Sequence, residues 1–356
     1  MPQGDFTAEG LLSVWRGVRR GYAVVSGGVA VEVGEGEPPE RPDVRALIMV
    51  DPINGHTHCA DYGLEIPEGM SLEELVAPPD GLKHRYLRET PDSVLAQDMS
   101  RFSADSRSYG FSSFVDFREG GLQGCLTLRG AVPDAVILGR PVSPEFDPEE
   151  VSAILDVADG IGISSVSDMP ADYIEAVADE VRERQKVFAI HVSERIREDI
   201  DFVLSLDPAF VVHMCEADDT DLLKCAEAEV PVVVCPRSNR YFGKVPPIAR
   251  MQDLGVDIAL GTDNGMICSP DPVAEMACFA EMADSQGGDP AGVLSAPFVL
   301  RGKLLNLFKQ INRASSPGCI SLVPMENGDP VGAIRAPSAR GYGYARTGKR
   351  RNWNGF

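Results

Sequence analysis

Short apolar runs recur along the chain, and stretches of helical periodicity separate them. The runs read as strands at Ala46–Val50, Ser112–Val115, Ala135–Leu138, Gly160–Ile163, Val187–Ile190, Phe210–Val212, Pro231–Val234 and Asp257–Leu260. Most are unbroken rather than alternating, as expected of parallel strands covered on both faces. Between them, "ADYIEAVADEVRERQ" and "DDTDLLKCAEAE" read as amphipathic helices, the second opening on an Asp/Thr capping cluster. Strands alternating with helices indicate a parallel α/β sheet, and about eight strands is the number a (β/α)8 TIM barrel needs.

The ends carry a different pattern. Residues 21–36, "GYAVVSGGVAVEVGEG", alternate and contain glycine turns, and residues 318–335 look similar, with Asn327-Gly328 as a turn signal. The fold expected is therefore α/β, a distorted (β/α)8 barrel with a small satellite β-sheet built from the two ends. Its parts are an N-terminal β segment at 1–45, the barrel at 46–315, a C-terminal β segment at 316–336 and a tail at 337–356. The tail, Gly- and Arg-rich, reads as loosely ordered or as an arm against a neighbouring subunit, which leaves room for a homodimer. No internal repeat is visible.

Composition narrows the partners. Hydrophobic content of 44% and charged content of 24% are ordinary for a globular chain. A formal net charge of −21 argues against nucleic acid and against an anionic membrane, leaving a small-molecule substrate. No apolar run is long enough to span a bilayer, and the first residues lack a signal peptide's basic and apolar regions, so a cytoplasmic location is expected. The eight cysteines form no C-x-x-C pair and read as reduced, buried thiols.

The chemistry collects at strand ends. Of five histidines, His56 and His58 follow the first run, His191 ends the fifth and His213 the sixth, while Asp263 follows the eighth. In a parallel barrel these carboxyl ends meet at one mouth. Residues i and i+2 on extended backbone point to one side, so His56 and His58 can reach one ion. His56, His58, His191 and Asp263 are the expected ligands of one divalent metal, zinc first, with iron or manganese as alternatives.

Five ordered stretches carry a family resemblance: "NGHTH", "HVSE" with Glu194, "VVHM", "CPRSN" and "LGTDN". Over residues 46 to 305 the chain resembles the amidohydrolase superfamily. It is most similar to the single-metal aminohydrolases that include cytosine, guanine and S-adenosylhomocysteine deaminases and triazine hydrolases. The resemblance implies that Glu194 shuttles a proton, that His213 orients water or polarises the tetrahedral centre, and that Asp263 binds metal and takes the water's proton. The fourth run offers Ser164 and Ser165 but no lysine, which disfavours a second metal; the family's usual C-terminal Gly-x-Asp-Ala-Asp pattern is not visible either.

Substrate contacts are expected from His84, on a Pro- and Gly-rich loop, from Arg118 after the second strand, and from Arg237 and Asn239 after the seventh. The reaction expected is metal-dependent hydrolysis of a non-peptide C–N bond, deaminating a purine-, pyrimidine- or pterin-like heterocycle. A cyclic amide or amidine hydrolase of imidazolonepropionase type is the alternative. A non-catalytic barrel used for binding or assembly is the alternative of another class.

Overall fold

A computed structural model describes residues 1–2, 4–14, 17–70, 74–75, 80–304, 318–336 and 338–345. Two sheets organise them. The smaller has six strands: β1 (Phe6–Val14), β2 (Gly17–Ser26), β3 (Val29–Glu35), β4 (Val44–Val50), β14 (Cys319–Pro324) and β15 (Tyr342–Ala345), in the order β15-β14-β4-β1-β2-β3. The larger has nine: β5 (Ile53–His58), β6 (Ser113–Arg118), β7 (Val136–Gly139), β8 (Gly160–Ile163), β9 (Val187–Val192), β10 (Phe210–His213), β11 (Val232–Val234), β12 (Ile258–Leu260) and β13 (Asp263–Asn264). Its order is β12-β11-β10-β9-β8-β7-β6-β5-β13, and every pairing in it is parallel.

The large sheet is curled. Ile258–Leu260 pairs with β11, and two residues later Asp263–Asn264 pairs with β5 at the opposite end of the strand order. Between them Gly261 N–H donates to Val234 O (3.0 Å) and Thr262 N–H to His56 O (3.1 Å). A side chain at 261 would not fit, because a Cβ there would lie 2.8 Å from His56 Cβ and 2.9 Å from its backbone nitrogen.

Alternate residues of the strands fill the space inside: Ile53, Val115, Phe117, Leu138, Phe210 and Val233 form one buried cluster. Their neighbours Phe114, Ile137, Ile190, Val211 and Val234 belong to a second cluster under the surrounding helices. Burial on both faces is why the sequence runs are unbroken, each large side chain contributing roughly 1.5–3 kcal/mol. The helices Pro148–Val157, Ile200–Ser205, Asp219–Glu227 and Pro272–Ser285 start on the aspartates Asp147, Asp199, Asp218 and Asp271, whose carboxylates accept first-turn N–H groups.

Three expectations are corrected. Ala46–Val50 does not open the large sheet; it lies within β4, parallel to β1 and antiparallel to β14. The break at Asp51-Pro52 redirects the chain: Asp51 adopts a left-handed φ of 54°, and its carboxylate accepts from Cys319 N–H (3.0 Å) and Arg301 (2.8 Å). Asn327-Gly328 does not join two strands, because Asp329 caps and Pro330 begins a short helix, Pro330–Arg335. The stretch expected to be a tail supplies β15, antiparallel to β14, where Gly343 packs so close to Arg107 O that a Cβ would collide with it. Residues 305–317 and 346–356, parts of the expected barrel end, C-terminal β segment and tail, lie outside the described residues.

Candidate metal centre

His56 and His58 occupy the end of β5 itself, every residue of which is buried, rather than a loop after it. Their rings sit edge to face, 4.9 Å between centroids. His191 arrives from β9, His213 from β10 and Asp263 from β13, so the five side chains meet at the carboxyl end of the parallel sheet. Phe117 forms their floor, its centroid 4.5 Å from His56 and 4.8 Å from His191.

Which ring nitrogens are free follows from the hydrogen bonds. His191 Nδ1 lies 2.8 Å from Ile163 O, and His58 Nδ1 lies 3.2 Å from Phe117 O and 2.8 Å from Glu119 Oε1. A carbonyl or carboxylate accepts only, so both Nδ1 atoms carry the proton and both Nε2 atoms present a lone pair. His56 Nε2 lies 3.2 Å from His191 Nε2 and 3.3 Å from Asp263 Oδ1; His58 Nε2 lies 3.5 Å from the same oxygen. Donors at about 2.05 Å from a tetrahedral ion are spaced about 3.3 Å apart, close to these three separations; by distance His56, His58 and His191 form one candidate ligand group. Asp263 Oδ2 is held by the Ser238 hydroxyl at 2.5 Å, leaving Oδ1 for the donor set.

His213 is arranged differently. Cys235 N–H donates to Asn239 Oδ1 (3.3 Å), which fixes the amide so that Asn239 Nδ2 donates to His213 Nδ1 (3.1 Å). The neutral ring then carries its proton on Nε2, which faces Glu194 Oε1 at 3.7 Å. His213 also lies close enough to His56 and Asp263 for the three to form a ligand group by distance alone. With Nε2 protonated, however, the ring is a donor and not a ligand. Backbone strain gathers here too: Ser193, His213, Met214 and Asp263 all have φ between 50° and 78°.

No family model matches the chain. A protein of Methanothermobacter thermautotrophicus, provisionally named an aminohydrolase, is 35% identical over 288 residues, covering 72% of this chain and 74% of its own length. The chain belongs to the amidohydrolase superfamily, in its aminohydrolase branch. Among solved structures the fold is similar to a guanine deaminase from C. acetobutylicum with bound guanine in the active site (TM-score 0.64, 14% identity, 93% of this chain and 95% of that one). It is likewise similar to an adenosine deaminase from Xanthomonas campestris with bound zinc (TM-score 0.64, 16% identity, 95% and 90%). This aminohydrolase is a hydrolytic enzyme, and among its described residues no helix is long and apolar enough to cross a membrane.

Electrostatics keep His56 and His191 of the aminohydrolase neutral. Burial pushes His56 down to about 3, with His58 and His213 adding repulsion and only partial relief from Asp263. Burial, then His56 and His213, holds His191 well below the ordinary histidine value. Burial would raise Asp263, but the surrounding imidazoles outweigh it and hold the carboxyl well below its usual range. Neutral imidazole and ionised carboxylate are the forms that bind metal.

The residues expected to touch substrate are placed unevenly. Arg118 is 1% exposed and spends its donors on Asp116 (3.3 Å) and Glu119. Arg237 is turned onto the fully buried Glu275 (2.5 Å) and onto Ser269. Each guanidinium is paired with a buried carboxylate. Asn239 is fully buried and supports His213. His84, expected on a loop, sits half-buried in the first turn of the helix Leu82–Glu89.

The neighbour of His84 is the residue that sequence reasoning missed. Lys83 is 6% exposed, and its ammonium lies 2.7 Å from Asn264 Oδ1, 3.1 Å from Glu119 Oε1 and 3.5 Å from Asp61 Oδ2. Glu119 thus joins Lys83 and Arg118 to His58. Burial would raise Glu119, but Lys83, His58 and Arg118 hold it well below the usual carboxylate range. Burial raises Asp61 to about 6, with Lys83 pulling the other way. A Lys beside a His after the first strand of the large sheet was the one visible signal.

Proposed function

We propose that this aminohydrolase deaminates an aminated heterocycle of purine, pyrimidine or pterin type, in a closed (β/α)8 barrel, with one divalent ion, zinc first, held by His56, His58, His191 and Asp263. The observation that carries the reading is the convergence of imidazole Nε2 atoms and one carboxylate oxygen, with Glu194 and a His213 N–H beside them and outside the set. Bound there, a divalent ion supplies Lewis acidity that makes water a nucleophile near neutral pH.

The chain's own groups do the rest. Asp263, ionised and steadied by Ser238, takes the proton that water gives up as it attacks the ring carbon. Glu194, 32% exposed on its side chain with Oε1 3.7 Å from His213 Nε2, gives its proton to the ring nitrogen. It then takes the remaining O–H proton of the added water and passes it to the leaving amine, and the proton held by Asp263 restores it. His213 donates its Nε2 proton toward the oxygen that becomes the product carbonyl. The amine leaves as ammonia, and oxygen replaces it on the ring.

Ammonia release from the zinc-loaded protein against aminopurines, aminopyrimidines and aminopterins tests the reading. A ring-opened product without ammonia would replace it with the cyclic amide hydrolase. Glu194→Gln is expected to keep one metal per chain while losing about three or more orders of magnitude in turnover. Near-native turnover would remove the proton-shuttle role.

A further inference from the structure

We propose that Glu198 is a positioning residue for Glu194: its buried carboxylate fastens the loop after β9 to the loop after β8 and thereby aims the proton-transfer side chain. This deepens the proposed function and rests on it. Glu198 is 9% exposed. Its Oε1 accepts from the Ser165 hydroxyl, the Ser167 hydroxyl and Ser167 N–H (2.9 Å). Its Oε2 accepts from Ser193 N–H (2.8 Å), and Ser193 Oγ in return accepts Glu198 N–H (3.0 Å). Four donors from two loops therefore end on one carboxylate, with no lysine or arginine pairing it among the described residues.

Ser193 is what this grip acts on. It lies two residues after the candidate ligand His191 and one before Glu194, and it adopts a left-handed φ of 50° that a serine does not take unaided. Held so, it lets His191 face the donor set while Glu194 turns toward the same space. Ser164, Ser165, His191, Glu194 and Glu198 wall a cavity of about 40 Å³, room for one to three waters. Ser164 Oγ is buried there without a hydrogen-bond partner. Among the described residues Glu194 itself has only the 3.7 Å approach to His213, so its direction is inherited from Ser193.

An amide is the right perturbation, since Glu198→Gln keeps the shape but offers an NH2 group to donors. One N–H among Ser167 and Ser193 then loses its acceptor. In the zinc-loaded protein kcat is expected to fall about 10–100-fold, with KM within about threefold, one metal still bound and unfolding still above the assay temperature. Introduced into Glu194→Gln, the same change is expected to cost less than about threefold, because the group being aimed is gone. An equal factor in both backgrounds, or loss of metal along with activity, would overturn the proposal. Amide hydrogen exchange across Ser193–Arg195 reads the grip without any substrate: exchange at least tenfold faster in Glu198→Gln supports it, and unchanged exchange overturns it. A substrate panel that yields no ammonia counts against the deaminase reading alone.

Discussion

Glu119→Gln tests whether the buried charges beneath the donor set act on metal affinity. Glu119 Oε1 accepts the His58 Nδ1 proton at 2.8 Å and also meets Lys83 at 3.1 Å, while its other oxygen is bound by Arg118. Replacing one oxygen by NH2 sets a donor against a donor whichever way the amide turns, and it removes a negative charge that makes His58 a better ligand. Loss of such an outer partner costs about 10–100-fold in metal affinity, or about 1.4–2.7 kcal/mol. The lower end is expected, because Phe117 O at 3.2 Å still fixes the tautomer. Lys83 keeps Asn264 and Asp61, so folding is expected to lose less than the roughly 3–5 kcal/mol typical of an orphaned buried charge. Zinc competition against a chelator of known affinity measures the first, and denaturant unfolding of the metal-free protein the second. Affinity within twofold of native would refute the reasoning.

Asn239→Asp replaces the amide donor at His213 Nδ1 by an acceptor, moves the ring proton to Nδ1 and leaves Nε2 bare; turnover is expected to fall at least 100-fold with metal retained, read by kcat and metal content. Gly261→Ala forces a methyl to within 2.8 Å of His56 Cβ, and a loss of roughly 1–3 kcal/mol of stability together with weaker zinc binding is expected in unfolding and competition titrations. The metal-free protein is expected to lose stability as pH falls from about 6.5. His56 is held down to about 3, so the unfolded chain takes its proton first, and the contribution present above pH 6.5 fades toward pH 3. Up to about 4–5 kcal/mol is at stake from this histidine, and unfolding midpoints that stay flat between pH 6.5 and 4 would contradict it.

Strands β6 to β12 were legible because their runs are largely apolar and buried on both faces, whereas β5 and β13 carry polar residues and were not foreseen. His191 and His213 stood out because they close two of those runs, while His56, His58 and Asp263 lie on β5 and β13. Glycine and arginine content misled at the C-terminus, where Tyr342–Ala345 packs as a strand whose glycine permits close contact. Strand β1, "FTAEGLLSV", falls within the expected N-terminal β segment but outside its alternating stretch at 21–36; Gly10 and the adjacent Leu11 and Leu12 break its alternation. The buried charges were hidden for a different reason. Lys83 and Asn264 are 181 residues apart, and Arg237 and Glu275 are 38 apart; a charge in a sequence carries no mark of being enclosed. Arg118 and Arg237, expected at the substrate, each pair with a carboxylate that the sequence did not point to.

The carbonyls of Phe117 and Ile163, which set the ring protons of His58 and His191, belong to the main chain. No substitution can delete them. The candidate seat for an ion is therefore written into strand geometry, while the rim is built from loops. New substrates can be recruited by editing those loops without relearning how to hold the cation.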